Sequence, residues 1–570
     1  RQVLREADGA VHLDLQITAQ DALDVEGVFL FVDVPISEFL GGRCTLSVDD
    51  AVAAAAEMPR QKPKNRHFVS ATANRLTMTS ADAKINLELR LDRSCPTVVQ
   101  DTRQWRGTKY SAFIQLATGP LAKGQSTSLR VSLRLTGEPD HTPARLDLDA
   151  EKVRYRLHGF GGNYCFNIES PVTQYTLDNL RVAWARTEMT LREWEPENDN
   201  DSPDDTNWEY LEGHDKPDSN LRREFLLAKQ IQDRGIPYVI SIWRLPEWLY
   251  EEPVKGWRSR GGRVHPDKWA ELLECVGSYL IYAKRQYGVE PDLFSFNEAN
   301  IGVYVRFTAQ EHRDAIKSIG AHLEKLGLKT KMLLADATGP RGTHTYALPA
   351  ANDPEAMRYV GAVGFHSWGG ATPEQYGAWA DLAESLRLPL LVTELGVDAA
   401  AWRGRTYDSF HYATREVRMY QEILLYARPQ GTMQWEFTSD YGTVKVQKDD
   451  SGAVRLVPTQ RFWFVKHFCN LTPPNADALT TTSDHPKVLF TAFAAGAGRE
   501  RAYTLHIANL GPSRPVTVTG VPDGVQTLRA IRTSESEAFE EQAPVPVRDG
   551  VIQTELAAQS LLTLTTFAPR

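Results

Sequence analysis

The first 150 or so residues alternate between apolar and polar side chains in short runs separated by turn-forming residues. Such alternation puts the apolar side chains of a strand on one face, so each run predicts a β-strand with one buried face. Between two of the runs, the segment DDAVAAAAEMPRQKPKNRH predicts a short helix followed by a basic loop. The runs that predict an N-terminal β-sandwich are AVHLDLQITA, GVFLFVDVPI, AKINLELRLD, SAFIQLAT and TSLRVSLRLT.

From about residue 153 the hydrophobic period changes. Short apolar runs now alternate with longer segments whose apolar residues recur every three or four positions, as they do in amphipathic helices. Repeated βα units of this kind form parallel sheets, and eight of them suit a (β/α)8 barrel. The eight runs are YRLHGFGGNY, VAWARTEM, IPYVISIW, PDLFSFNE, KMLLAD, VGAVGFHSW, LPLLVTELG and GTMQWEF.

The last hundred residues return to strand-like alternation, for example in KVLFTAFAAG and RAYTLHIANLG. The helix TQRFWFVKHFCNL precedes them and would close the barrel. The sequence therefore predicts an α/β fold, a (β/α)8 TIM barrel flanked by N-terminal and C-terminal β-sandwich domains. The predicted domains are 1–152, 153–470 and 471–570.

Charge and composition narrow the function. The 570-residue chain has a formal net charge of -9 and no long run of lysine and arginine, which disfavours nucleic acid as a partner. No window approaches the roughly 18 apolar residues that a membrane span needs. The chain opens at Arg1 without an apolar leader, and removal of such a leader would make it a secreted or periplasmic protein. The oligomeric state is not indicated.

The five cysteines are too scattered for a disulfide scaffold or a metal cluster. Free, buried thiols are the simpler interpretation, although Cys44 and Cys95 lie in one region and a disulfide between them is the alternative.

Reactive side chains stand where the predicted barrel strands end, and the active sites of such barrels lie at those ends. A strand-end glutamate taken alone is usually a loop residue or a salt-bridge partner. Here several such residues fall in register with one count of the strands, which favours a shared site. They are Arg186 on strand two, Asn297 and Glu298 on strand four, His366 and Trp368 at strand six, Glu394 on strand seven and Trp435 on strand eight.

Two carboxylates across a barrel mouth can cleave a glycosidic bond, because one protonates the leaving oxygen while the other attacks the anomeric carbon. The acid has to stay protonated and the nucleophile ionised. Arg186 is a cation that suits the second requirement. Trp368 and Trp435 offer flat apolar faces for a pyranose ring.

The strand-end residues resemble those of the clan A glycoside hydrolases, over about residues 155–470. FGGNYCFNI, SIWRLPEWLY and the tail from FWFVKHFCNL onwards look most like families thirty and thirty-nine, in which a β-sandwich accompanies the barrel. The N-terminal β region is larger than the few strands usual in family thirty. The resemblance implies that Glu298 is the general acid/base, Glu394 the nucleophile, Asn297 a contact of the sugar 2-hydroxyl, Arg186 and His366 neighbours of the nucleophile, and Trp435 a platform under the sugar.

Further candidates surround this site. Trp243, Trp248 and Trp257 fit the walls of sugar subsites, although Trp243 alternatively packs inside the barrel. Tyr304 and Tyr441 are candidate sugar contacts. Three arginines after strand three would face an acidic sugar, or else lie in a solvated loop; they are Arg258, Arg260 and Arg263.

The segment 193–215 is acidic and aromatic. A solvated loop is the simpler interpretation, and a calcium site or a wall of the substrate cleft is the alternative. Four of its aspartates lack a recognisable calcium-ligand spacing; they are Asp199, Asp201, Asp204 and Asp205.

The sequence thus predicts a retaining glycoside hydrolase that cleaves β-glycosidic bonds of an oligo- or polysaccharide, with no cofactor and no metal. The alternatives are a catalytically silent carbohydrate-binding protein and a transglycosylase with the same two glutamates.

Overall fold

The computed structural model describes residues 1–105, 109–254, 261–449 and 452–568. The chain divides into two compact units, Arg1–Asp140 and His141–Arg570.

The N-terminal unit is an antiparallel β domain with one short helix, α1 (Ile36–Phe39). Its longest strand links two groups of strands, because residues 85–91 pair with β9 and residues 97–101 pair with β8. The unit has a hydrophobic core of its own. The strands are β1 (Gln2–Ala7), β2 (Ala10–Thr18), β3 (Gly27–Pro35), β4 (Arg43–Val48), β5 (Ala51–Glu57), β6 (His67–Thr79), β7 (Ile85–Asp101), β8 (Lys109–Thr118) and β9 (Ser126–Gly137).

The helix predicted at the alanine-rich segment is wrong, because Ala51–Glu57 is strand β5. It pairs antiparallel with β4, from Val48 opposite Ala51 to Arg43 opposite Glu57. Alanine is the strongest helix former, but intrinsic helix propensity is a small energy that tertiary context overrides, and here the hydrogen bonds to the neighbouring strand do so.

After β10 (Ala144–Leu157), eight parallel strands close into a barrel. Their residues are almost all buried, which explains why they are apolar on both faces. The predicted (β/α)8 fold class is confirmed. The barrel strands are β11 (Gly159–Tyr164), β12 (Ala185–Glu188), β13 (Tyr238–Ile242), β14 (Leu293–Phe296), β15 (Lys331–Ala337), β16 (Val360–His366), β17 (Leu390–Leu395) and β18 (Gly431–Gln434).

Helices follow the barrel strands, and two of the longest begin with capping boxes, at Thr308 with Glu311 and at Thr372 with Gln375. The predicted helix at the end of the barrel is α12. The helices are α2 (Pro171–Asn179), α3 (Leu191–Trp194), α4 (Trp208–Glu212), α5 (Asn220–Asp233), α6 (Trp269–Tyr282), α7 (Ala309–Lys325), α8 (Leu348–Ala351), α9 (Pro354–Met357), α10 (Pro373–Leu386), α11 (Phe410–Glu422) and α12 (Gln460–Leu471).

A hairpin of β19 (Val444–Lys448) and β20 (Val454–Pro458) precedes α12, and a nine-stranded sheet follows it. This sheet includes β10, so the predicted boundary at residue 152 falls inside one of its strands; the three-domain division stays a prediction. The remaining strands are β21 (Ala476–Ser483), β22 (Val488–Ala495), β23 (Ala502–Asn509), β24 (Arg514–Thr519), β25 (Thr527–Thr533), β26 (Glu540–Pro546), β27 (Ile552–Leu556) and β28 (Ser560–Thr565).

All five cysteines are buried free thiols, so Cys44 and Cys95 do not pair. Among the described residues, no helix combines the length and the apolar character that crossing a membrane requires.

Candidate active site

The side chains that point into the barrel change from apolar to polar along the strands β13 and β14. On β13 and β14 the lowest inward residues, Val239 and Leu293, belong to an apolar cluster. Two residues further on, Ser241 and Ser295 hydrogen-bond to each other and to Asp336. The barrel interior thus contains a layer of packed apolar side chains, then a layer of polar side chains, and then a cavity at the carboxyl ends of the strands.

The cavity has a volume of about 350 Å³. It takes in both predicted catalytic glutamates and most of the predicted aromatic contacts. It is lined by Phe166, Trp243, Asn297, Glu298, Val303, Tyr304, Trp368, Glu394, Ala399, Trp402, Trp435, Asp440 and Tyr441.

Arg186 lies under the cavity and is completely buried. Its Nη1 donates to Glu394 Oε1 at 2.8 Å, and its Nη2 donates to Asn297 Oδ1 at 2.8 Å and Asp336 Oδ2 at 2.9 Å. Burial lowers the pKa of Arg186, but the charges of Asp336 and Glu394 outweigh it and raise the pKa above its ordinary value. The guanidinium therefore stays charged and fixes one oxygen of Glu394.

Asp336 is the buried counter-charge of this layer. Burial raises the pKa of Asp336, but Arg186, His366 and a 2.5 Å hydrogen bond from Thr393 hold it well below its ordinary value. The structure makes Asp336 an acceptor for five neighbouring side chains, which are Arg186, Ser241, Ser295, His366 and Thr393.

His366 stands between the two glutamates. Its Nδ1 lies 2.8 Å from Glu298 Oε1 and 3.1 Å from Glu394 Oε2, and its Nε2 lies 3.1 Å from Asp336 Oδ1. Burial lowers the pKa of His366, but Glu394, Asp336 and the hydrogen bond with Glu298 raise it well above 6.5. The ring is therefore an imidazolium, with a proton on each nitrogen.

The two glutamates approach each other across the cavity. Each has a carboxylate oxygen that lies within 4.8 Å of the other and of a His366 nitrogen. Three such groups can hold a metal ion, and a proton on His366 Nδ1 would compete with a metal for that nitrogen. Glu298, Tyr304 and Asp336 have φ of 46°, 65° and 47°, a strained left-handed conformation that concentrates at functional sites.

Aromatic rings form the walls. Trp368 Nε1 donates to Glu394 Oε2 at 3.0 Å, so this indole presents an edge to the glutamate. Trp435 packs against both Trp243 and Trp368, with ring centroids 6.1 and 6.3 Å apart. Trp243 also lies 4.3 Å above the Arg186 guanidinium, so it both packs the barrel and lines the cavity.

Tyr304 and Tyr441 line the cavity, and the Tyr441 hydroxyl donates to Ala399 O at 2.8 Å. Trp248 is placed elsewhere, because its Nε1 donates to the backbone oxygen of Glu195 at 3.0 Å and it is not among the residues that line the cavity described above.

Of the three arginines after strand three, Arg263 pairs with Glu311 at 2.9 Å, which satisfies its charge on the protein surface. Trp257, Arg258 and Arg260 lie outside the described residues.

Several residues of the site were missed from the sequence. Asn163 accepts from Arg186 at 3.1 Å and donates to Thr393 O at 2.9 Å, and it had looked like part of a glycine-rich strand. Phe166 and Asp440 lie on loops and Trp402 lies in a one-turn 3-10 helix (Ala401–Arg403), where no periodicity marks them. The serines on β13 and β14 were detectable, since polar residues at every second position of a buried strand indicate a polar interior.

No family model matches the sequence, and no curated protein matches it. The fold is that of the clan A glycoside hydrolases, as family 30 shows it. A family 30 endoxylanase from Clostridium papyrosolvens C71 has a TM-score of 0.58 and 17% identity, covering 75% of this chain and all (100%) of that one. A family 30 subfamily 8 xylanase from Clostridium acetobutylicum has a TM-score of 0.56 and 14% identity, covering 74% and 99%. An endo-β-1,6-glucanase has a TM-score of 0.52 and 15% identity, covering 74% and 93%.

Proposed function

We propose that the protein is a retaining glycosidase that cleaves β-glycosidic bonds of an oligo- or polysaccharide by double displacement. The observation that carries the proposal is the approach of Glu298 and Glu394 to within 4.8 Å, oxygen to oxygen, across one aromatic-lined cavity. Carboxyl groups about 5 to 5.5 Å apart suit a retaining mechanism, whereas an inverting one needs about 6.5 to 9.5 Å to admit a water.

In the first step, a Glu394 oxygen bonds to the anomeric carbon while the bond from that carbon to the leaving oxygen breaks. Glu298 transfers its proton to that oxygen. In the second step, Glu298 takes a proton from water, and the water oxygen displaces Glu394 from the sugar. Arg186 and Trp368 each donate to one Glu394 oxygen, which orients the nucleophile.

The contacts of His366 suit both steps of this scheme, in which the negative charge passes from Glu394 to Glu298. When Glu394 becomes an ester it loses its negative charge, and when Glu298 gives up its proton it gains one. The Nδ1–H group lies within hydrogen-bond distance of both, at 2.8 and 3.1 Å, and so donates to whichever glutamate is charged. The His366 ring is a positioning group, because it offers a hydrogen-bond donor to the charged member of the Glu298–Glu394 pair in both steps.

The substrate class rests on the cavity and on the neighbours in fold. Xylanases and an endo-β-1,6-glucanase share this fold, which makes β-linked xylan and glucan the first polysaccharides to test. We also propose that the protein acts outside the cytoplasm, since polysaccharides of this kind are extracellular.

A digestion panel tests the proposal. Purified protein is incubated with aryl β-glycosides, xylan and β-1,6-glucan, and products are followed by mass and by the anomeric proton signal in NMR. We expect a β-anomer first, which then mutarotates. An α-anomer as the first product would rule out retention, and no product from any member would favour a silent binding protein.

Two variants separate the roles. Glu394→Gln should abolish hydrolysis while Glu188→Gln, a matched change on β12 outside the cavity, should not. Azide added to Glu298→Ala should give a β-glycosyl azide from an activated aryl glycoside, because the covalent step needs little acid help and azide then displaces Glu394. An α-glycosyl azide from this variant would mean that Glu298 is the nucleophile and Glu394 the general acid/base.

A further inference from the structure

A second cluster of carboxylates lies between the loop after α3 and the helix α6. Glu195 directly follows α3, Asp199 lies four residues later, and Glu274 is on α6. One carboxylate oxygen of each residue lies within 4.8 Å of the other two. The cavity that holds Glu298 and Glu394 is lined by other residues.

Two of these carboxylates are buried and have oxygens without a hydrogen-bond partner. Glu274 is 4% exposed, and neither of its oxygens has a partner; Glu195 is 0% exposed, and its Oε2 has none. The amide oxygen of Asn198, between Glu195 and Asp199 in the sequence, is also buried without a partner. Buried polar atoms in proteins are nearly always hydrogen-bonded, so the three unpartnered carboxylate oxygens of Glu195 and Glu274 indicate a missing ligand.

The missing ligand has to be positive. Acidic side chains dominate the surroundings, because Asp199 and Glu271 add their charges to those of Glu195 and Glu274. Burying several carboxylates together is unfavourable unless a cation binds them.

We propose that Glu195, Asp199 and Glu274 bind a calcium ion, with the Asn198 amide oxygen as a further ligand. All four are hard oxygen ligands, which calcium prefers. Calcium–oxygen distances of about 2.3 to 2.6 Å place opposite ligands up to about 5.2 Å apart, so oxygens separated by at most 4.8 Å fit around one ion. Magnesium demands a tighter octahedron and keeps several waters, which suits this crowded, irregular carboxylate set less well.

The ion would fix the loop that connects α3 to α4. Asp199 already accepts from the Asn207 backbone N–H at 2.6 Å, and the Glu195 backbone oxygen accepts from Trp248 at 3.0 Å. Calcium at Glu195 would therefore also hold Trp248 in place. Only one of the five aspartates in the acidic segment takes part, and a ligand from α6 completes the set, so no local spacing reveals the site.

Binding is tested on the full chain after removal of metals with EDTA. Calorimetric titration with calcium chloride should show one ion per chain, and terbium should emit when tryptophan is excited, because Trp248 is a neighbour. Glu274→Gln should weaken calcium binding at least tenfold. Asp204→Asn, an exposed aspartate of the same loop, should change it less than twofold. Glu394→Gln should bind as the wild type does.

Three results would overturn the assignment. Absence of calcium binding at millimolar concentration would remove the site, and equal weakening by Asp204→Asn and Glu274→Gln would show diffuse attraction to an acidic loop. Binding of magnesium as tightly as calcium would contradict the choice of ion. If Glu274→Gln does not fold, as judged by circular dichroism, Asp199→Asn replaces it with the same expected loss.

Discussion

His366 Nε2 lies 3.1 Å from Oδ1 of Asp336, and both side chains are completely buried. This contact joins the two glutamates of the cavity to the charged layer below them. Because Asp336 also accepts from Arg186, one carboxylate orients both cations that contact Glu394.

Asp336→Asn should therefore reduce the free energy of unfolding by about 3–5 kcal/mol, because it leaves Arg186 and His366 buried with less negative charge. Denaturant unfolding measures the change. Asp233→Asn removes an exposed carboxylate that pairs with Lys229, and it should leave the stability unchanged within error. Equal effects of the two variants would contradict the role given to Asp336.

The pH dependence of stability follows from His366. Its pKa in the folded protein is raised, so the protonated ring stabilises the fold fully below the unfolded value of about 6.5, and this contribution disappears as the pH rises through the folded-state pKa. The gap in Tm between the wild type and His366→Gln should thus narrow as the pH is raised from about 6 to about 10. Differential scanning fluorimetry at constant ionic strength measures it, and a gap that widens with pH would refute the assignment.

Trp368→Phe keeps an aromatic ring but removes the N–H that donates to Glu394 Oε2. A hydrogen bond to a charged group contributes about 1.5–3 kcal/mol, so kcat/KM should fall roughly tenfold to a hundredfold. Trp463→Phe on α12, outside the cavity, serves as the matched control. An unchanged kcat/KM for Trp368→Phe would mean that the bond does not act in catalysis.

Gly396→Ala should lower activity without unfolding the protein. An added Cβ would lie 2.2 Å from the Trp368 ring, so the indole would have to move away from Glu394. Gly377→Ala is the control, because a Cβ at that position in α10 meets nothing within 4 Å and alanine favours helix by about 0.5–1 kcal/mol. Activity and Tm are measured for both variants. Gly396→Ala should lose activity, whereas Gly377→Ala should keep or raise the Tm.

Glu416→Gln tests a buried ion pair behind the aromatic wall. Arg461 contacts Glu416 through two bonds, of 2.6 and 2.8 Å, and also donates to Tyr441 O at 2.6 Å. Removing the charge should cost about 3–5 kcal/mol in the free energy of unfolding. Glu422→Gln on the same helix breaks a solvent-exposed pair with Arg418 and should cost far less. Similar losses in the free energy of unfolding for the two variants would show that the buried pair stabilises the fold no more than the exposed pair does.

The sequence predicted the barrel well because its strands are buried on both faces and its helices have a clear apolar side. The prediction of a helix at Ala51–Glu57 was wrong for the opposite reason, because this segment is a weakly apolar strand whose conformation depends on pairing with β4. The two glutamates could be recognised from strand register. The layer beneath them could not, because Asp336 acquires its role only when Arg186 and His366, 150 and 30 residues away in the chain, come into contact with it.

Strand β10 precedes the barrel in the chain, yet it lies between β21 and β24 of the sheet that follows the barrel. Leu146 is opposite Ser483 on one side and Val518 on the other. During synthesis on the ribosome, β10 therefore emerges long before either neighbour and presents two open edges in the meantime, which invites association with other chains. Closure of that sheet therefore comes after the last barrel strand, β18, because β21 and β24 are synthesised only after it.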